Sequence, residues 1–267
     1  MKLRLPSPLA AALFTAATVT LFCTSACQTA PAVDPALLNP ATNSAIRPET
    51  RDPKWVKRHE GFVAQAKPGA INVLFLGDSI TDSWRDEQTA KTRGGKRIWD
   101  ANFGSLRAAN FGISGDRTQH VLWRLQNGEL EGISPKVVVL MIGTNNTGFE
   151  NDKVTPRNSV AETTEGVRAV VRTLRIKLPQ TKILLLAIFP RDEKPTGLPR
   201  QQVNEINRNL VQFKEGRSVR YLDINANFLA ADGTLPKDVM PDFLHPNEHG
   251  YQIWADAIRA PLAELLK

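Results

Sequence analysis

Beyond residue 70, short apolar runs alternate with longer stretches in which apolar side chains return every three or four positions. The runs read as strands over residues 72–76, 108–111, 136–142, 182–188 and 219–222; the longer stretches read as helices over 118–127, 156–178, 200–215 and 247–266. Residues 137–141 and 183–187 are apolar throughout, as strands covered on both faces must be. Alternation of this kind is the signature of βαβ units. It predicts an α/β domain with a flavodoxin-like, doubly wound sheet of five parallel strands. Ligands of such sheets bind beyond the carboxyl ends of the strands, so chemistry is expected in the loops that follow them.

The first fifty residues break the pattern. Lys2 and Arg4 precede an uncharged apolar run over 9–22, and small residues lead to Cys27, so residues 1–27 read as an export signal. The box Thr24-Ser25-Ala26-Cys27 resembles a bacterial lipoprotein cleavage site, in which Cys27 becomes the acylated first residue. Plain secretion with cleavage nearby is the simpler alternative. The expected location is the periplasm or cell exterior, with a lipid anchor. Residues 28–50, rich in Pro, Ala, Thr and Asn, are expected to be a flexible tether, leaving 51–267 as one folded domain.

Charge and cysteine content narrow the chemistry. The formal charge is +7, and +5 once Lys2 and Arg4 are removed with the leader (7 − 2). The basic residues are scattered along amphipathic stretches, which does not suggest a nucleic-acid partner. The densest cluster, Lys91-Thr92-Arg93-Gly94-Gly95-Lys96-Arg97, reads as a solvated loop. Both cysteines, Cys23 and Cys27, fall in the leader, so the domain holds no thiol nucleophile, disulfide or thiolate metal site.

Each strand is followed by unusual residues. After the first comes Gly77-Asp78-Ser79-Ile80-Thr81, where Gly77 permits a tight turn and Ser79 sits at a helix start. Ser79 is a candidate nucleophile with Asp78 in support; the alternative is that Asp78 or Ser79 is only a helix cap. After the second comes Asn110-Phe111-Gly112-Ile113-Ser114-Gly115-Asp116, and after the third Gly143-Thr144-Asn145-Asn146. The amides of Ser79 and Gly112 and the side chain of Asn145 form a candidate oxyanion hole. Near the C-terminus, Asp242-Phe243-Leu244-His245 places a carboxylate and an imidazole three residues apart, so Asp242 can orient His245 toward a serine hydroxyl. His249 is the competing histidine and is expected at the surface, while His59 and His120 are expected to be structural.

These blocks resemble those of the SGNH, or GDSL-type, hydrolase family: Ser79, Gly112, Asn145 and His245 match its four signature positions in order. The resemblance is closer to the platelet-activating factor acetylhydrolase Ib catalytic-subunit branch, through 110–116, His120-Val121-Leu122-Trp123-Arg124-Leu125, Asn127-Gly128-Glu129-Leu130-Glu131, Pro190-Arg191 and 242–245. It implies a three-layer αβα fold, no metal or organic cofactor, and hydrolysis of short acyl esters, acetyl above all. The export leader and the insertion-like basic stretch 87–97 turn the expectation from phospholipid toward a glycan acyl ester. A lipid esterase of the lysophospholipase or platelet-activating factor type, acyl transfer between sugars, a metal phosphoesterase using Asp78, Asn145 and His245, and a non-catalytic glycan-binding lipoprotein are the alternatives. The expected membrane contact is an anchor at Cys27 alone, and a homodimer stays open.

Overall fold

In the computed structural model, residues 33–90, 92–212 and 218–267 are described; the expected export signal, Cys27 and the first residues of the expected tether lie outside them. Five strands form one sheet: β1 (Val73–Gly77), β2 (Ala108–Gly112), β3 (Val137–Met141), β4 (Lys182–Leu186) and β5 (Val219–Leu222). All neighbours are parallel, in the order β2-β1-β3-β4-β5. The chain therefore steps from β1 to β2 on one side and returns to β3 on the other. That reversal opens a crevice at the carboxyl ends of β1 and β3.

Alternate strand residues feed two separate cores, as the period of two requires. Leu74, Leu76, Phe111, Val138, Leu140, Ile183 and Leu185 pack with α1 (Pro53–Ala66), α4 (Thr118–Gln126), α5 (Val160–Lys177) and α6 (Leu198–Leu210). Val73, Phe75, Val137, Val139, Met141, Leu184 and Leu186 face the opposite way, onto α3 (Lys96–Phe103) and α7 (Glu248–Leu266), with the four-residue α2 (Ser79–Asp82) at the sheet's edge of loops. The result is the expected three-layer αβα arrangement. The second core is aromatic: Phe75, Trp84, Phe103, Tyr251 and Trp254 are all buried, with the Trp84 and Tyr251 rings 4.4 Å apart.

Local chemistry shifts several boundaries. The helix expected from Pro156 begins at Val160, because Ser159 and Glu162 form a reciprocal capping box with Glu162 N–H donating to Ser159 Oγ at 3.2 Å and Ser159 N–H to Glu162 Oε2 at 2.7 Å. Pro156 instead bridges to Phe149. The helix expected from Arg200 starts at Leu198 with Pro199 in its first turn, and ends at Leu210. The pattern did not single out α1, yet Asp52 caps it by accepting from Lys54 and Trp55 amides at 3.0 and 3.2 Å, with Pro53 opening it.

The tether expectation needs correction over its described part. Residues 35–38 and 44–46 form 3-10 turns, and Asn43 and Ala45 are fully buried. Asn43 donates to Leu37 O at 2.9 Å and accepts from the Ala45 amide at 2.9 Å, while Thr118 Oγ donates to Ala45 O at 2.7 Å. Order here comes from polar side chains that satisfy the backbone, a device with no hydrophobic period to reveal it.

Candidate active site

The site is assembled from four loops at the carboxyl ends of the strands. β1 ends in Gly77, where a Cβ would overlap Thr81 and the Met141 carbonyl, so only glycine lets the turn press against β3. The next residue, Asp78, is fully buried and caps α2 through Oδ1, which accepts the Ile80 amide at 3.0 Å. Its Oδ2 has no hydrogen-bond partner among the described residues, and burial pushes the carboxyl up to about 7. Ser79 then emerges half-buried, with its hydroxyl 2.9 Å from His245 Nε2.

His245 is held from behind. Its Nδ1 lies 2.8 Å from Asp242 Oδ2, and its own amide donates to Asp242 Oδ1 at 2.8 Å. Leu244 N–H donates to the same oxygen at 3.2 Å. The turn that brings these groups together forces Phe243 into the left-handed region at φ +57, a strained conformation for a bulky residue. Burial pulls the Asp242 carboxyl up, but the bonds from His245 and the charges of His245 and Arg93 outweigh it and hold the group below the usual carboxylate range. His249 is exposed and contacts Asp238 O at 3.2 Å, outside the site.

The loop after β2 requires a correction. Gly112 was expected to offer its amide to an oxyanion, but it is still strand, paired with Gly77, and its N–H donates to Asn110 Oδ1 at 2.9 Å. Gly115, three residues on, is exposed at φ +81, and its N–H has no acceptor among the described residues. Its flanks are pinned. Asp82 Oδ2 accepts from both the amide and the hydroxyl of Ser114, at 3.0 and 2.9 Å, and Arg51 donates to Ser114 O at 2.8 Å. On the other side, Asn145 Nδ2 donates to Asp116 O at 2.9 Å, which brings Asn145 beside Gly115. Ser79 N–H is also without an acceptor among the described residues.

A buried ionic cluster fixes the roots of these loops. Arg124 is fully buried and donates to Glu129 Oε1 and Oε2 at 2.6 and 2.7 Å and to the carbonyl of Phe111 at 3.0 Å, and its Nε lies 3.0 Å from Asp116 Oδ2. Glu129 meets His59 Nδ1 at 3.1 Å, and Trp55 donates to Asp116 Oδ1 at 2.6 Å. Both His59 and the half-buried His120, whose Nδ1 accepts the Arg117 amide at 3.0 Å, thus sit in structural roles. Among the described residues no three His, Cys, Asp or Glu side chains are grouped to hold a metal ion.

The solvent-facing cavity over Ser79 measures about 250 Å³ and is lined by Ser79, Ser83, Asp86, Thr92, Arg93, Ser114 and His245. The basic stretch expected to be a free solvated loop therefore contributes to the site: Arg93 Nη2 lies 2.9 Å from Asp242 Oδ2.

A parallel αβα sheet with a serine, imidazole and carboxylate at its carboxyl edge is the framework of an ester hydrolase. Residues 75–253 match the GDSL-like lipase/acylhydrolase family, and the chain belongs to it. It is 39% identical over 216 residues to platelet-activating factor acetylhydrolase IB subunit alpha2 of Rattus norvegicus, covering 80% of this chain and 84% of that protein. The human alpha1 subunit is 36% identical over 231 residues, covering 85% and 91%. Among solved structures, a GDSL-like lipase from Bacteroides thetaiotaomicron superposes with TM-score 0.58 at 18% identity, covering 77% of this chain and 97% of that one. An acetylxylan esterase from Geobacillus stearothermophilus gives TM-score 0.54 at 24% identity, covering 72% and 93%. These structural likenesses concern the fold.

Proposed function

We propose that this ester hydrolase removes short acyl groups, acetyl foremost, from carbohydrate, with Ser79 as nucleophile, His245 as general base and Asp242 as its orienting carboxylate. In this reading His245 Nε2 takes the hydroxyl proton as Ser79 Oγ attacks the ester carbonyl. The oxyanion accepts from Ser79 N–H, Gly115 N–H and the Asn145 side-chain amide; Gly115 replaces Gly112 because only its N–H is unengaged. His245 then returns the proton to the leaving alkoxide, and water repeats the sequence on the acyl-enzyme.

The observation that carries the substrate class is the cavity lining. Every residue that lines it is polar, and its volume is small beside the roughly 300–1,000 Å³ of most ligand sites. A long acyl chain would meet no apolar side chain among these residues, whereas acetyl attached to a hydroxyl-rich alcohol suits both size and polarity. An acetylated phospholipid is the second reading, favoured by 39% identity to a platelet-activating factor acetylhydrolase subunit. Acetate release from acetylated xylo-oligosaccharide and from an acetylated ether phospholipid, each compared with Ser79→Ala, separates the two. Faster turnover of the lipid would overturn the carbohydrate reading.

The leader belongs to the proposal as well: the enzyme is exported and anchored through an acylated Cys27. Fatty-acid labelling that persists in Cys27→Ser, or is absent from the wild type, would remove the anchor.

A further inference from the structure

The described residues of the loop between α2 and α3 are tied down at several points. At its base Gly95 N–H donates to Ser83 O at 3.0 Å and Lys96 N–H to Asp86 O at 3.1 Å. Within it Thr89 N–H donates to Thr92 O at 2.9 Å, and Thr92 Oγ donates to Glu87 O at 2.7 Å. The amide of Glu248, opening α7, donates to Gln88 Oε1 at 3.2 Å, and Arg97 pairs with the Glu248 carboxylate at 2.6 Å. Gly94 and Gly95 are buried; a Cβ on Gly94 would overlap the Asp86 carbonyl, and one on Gly95 would meet Tyr251 and Trp84. The loop is thus a strap laid from the nucleophile's helix to the start of α7. It delivers Asp86, Thr92 and Arg93 to the cavity over Ser79.

Arg93 Nη2 approaches Asp242 Oδ2 to 2.9 Å, the same oxygen that lies 2.8 Å from His245 Nδ1. The geometry points to Arg93 as a positioning residue, which fixes Asp242 through the same Oδ2 that holds the His245 imidazole. This rests on the serine esterase reading above. The two donors share one oxygen: a cation there holds the Asp242 carboxylate ionised and aligned behind the imidazole.

Other charges around the pair are already engaged or remote from that oxygen. Asp82 is held by Arg58 at 2.9 Å and Arg85 at 2.8 Å, and Glu248 by Arg97. Asp78 is buried beneath the serine, Asp86 lines the cavity from the strap, and Lys237 stacks on the Phe243 ring at 5.4 Å. Only Arg93 forms an ion pair with Asp242 among the described residues other than His245.

The test is kcat and KM on 4-nitrophenyl acetate, at low and high salt, for wild type, Arg93→Ala, Arg93→Lys and Ser79→Ala. Arg93→Ala is expected to lower kcat severalfold at unchanged KM, a size set by a partly exposed pair. Arg93→Lys should restore kcat, since it restores the charge. In 1 M salt the kcat values of wild type and Arg93→Ala should converge. A kcat unchanged in Arg93→Ala, or lowered equally in Arg93→Lys, with Ser79→Ala inactive, overturns the role of Arg93 and leaves the esterase reading standing. Activity retained in Ser79→Ala overturns the esterase reading itself.

Discussion

Ser79 Oγ and His245 Nε2 lie 2.9 Å apart although 166 residues separate them in the chain. The contact exists because β1 and the final loop end at the same rim of the sheet, and it makes a proton path out of two side chains that are inert alone. His245→Ala should therefore reduce turnover nearly as far as Ser79→Ala, and the double variant should fall no further, since groups acting as a unit are not additive. Turnover numbers for the three variants check this.

Oxyanion donors act chiefly in the transition state. Asn145→Ala is expected to lower kcat by about 10²–10³ with little change in KM. Gly115→Ala should also slow turnover with the fold retained, because φ +81 is costly for alanine and the amide must move. Steady-state kinetics and circular dichroism on both variants provide the check.

Asp242 supports His245 by geometry and charge. Asp242→Asn keeps the backbone acceptor but changes what faces Nδ1, so turnover should fall by about 10⁴, the scale known for this substitution in a serine-protease triad. A loss below tenfold would show that the carboxylate does little.

Much of this site was legible because its chemistry is local. Ser79, Asn145 and the Asp242/His245 pair each sit directly after an apolar run or before a helix start, so strand reading alone brings them to one rim. Gly112 misled because periodicity does not mark where a strand ends: the ladder continues through it, and its amide is taken by Asn110, two residues earlier. The positive φ of Gly115 was the missing signal, and it is set by Asp82 and Arg51 from other elements. Arg93 was unreadable for the same reason, since its partner lies at the far end of the chain. Residues 33–50 are ordered by hydrogen bonds from Asn43 and Thr118, which composition hides.

Asp78 makes stability depend on pH in a direction opposite to most carboxylates. Its folded value, about 7, is above the unfolded 3.8, so its contribution is fully present below pH 4 and declines as pH rises toward 7. Asp78→Asn keeps the Oδ1 cap and removes the buried charge. Its thermal midpoint relative to wild type should rise more at pH 8 than at pH 5; an equal change at both would contradict the burial argument.

Arg124 couples stability to the site. Arg124→Met leaves Glu129 and Asp116 buried without their shared cation and should cost about 3–5 kcal/mol in urea unfolding. Loss of its bond to Phe111 O also frees the end of β2, so activity should fall before the chain unfolds.

The central claim is that Ser79 is the nucleophile, activated by His245. Reaction with a fluorophosphonate followed by peptide mass spectrometry tests it most directly. A single adduct on the Ser79 peptide, lost in Ser79→Ala and greatly slowed in His245→Ala, is the predicted result; labelling at another residue, with full esterase activity in Ser79→Ala, would contradict it.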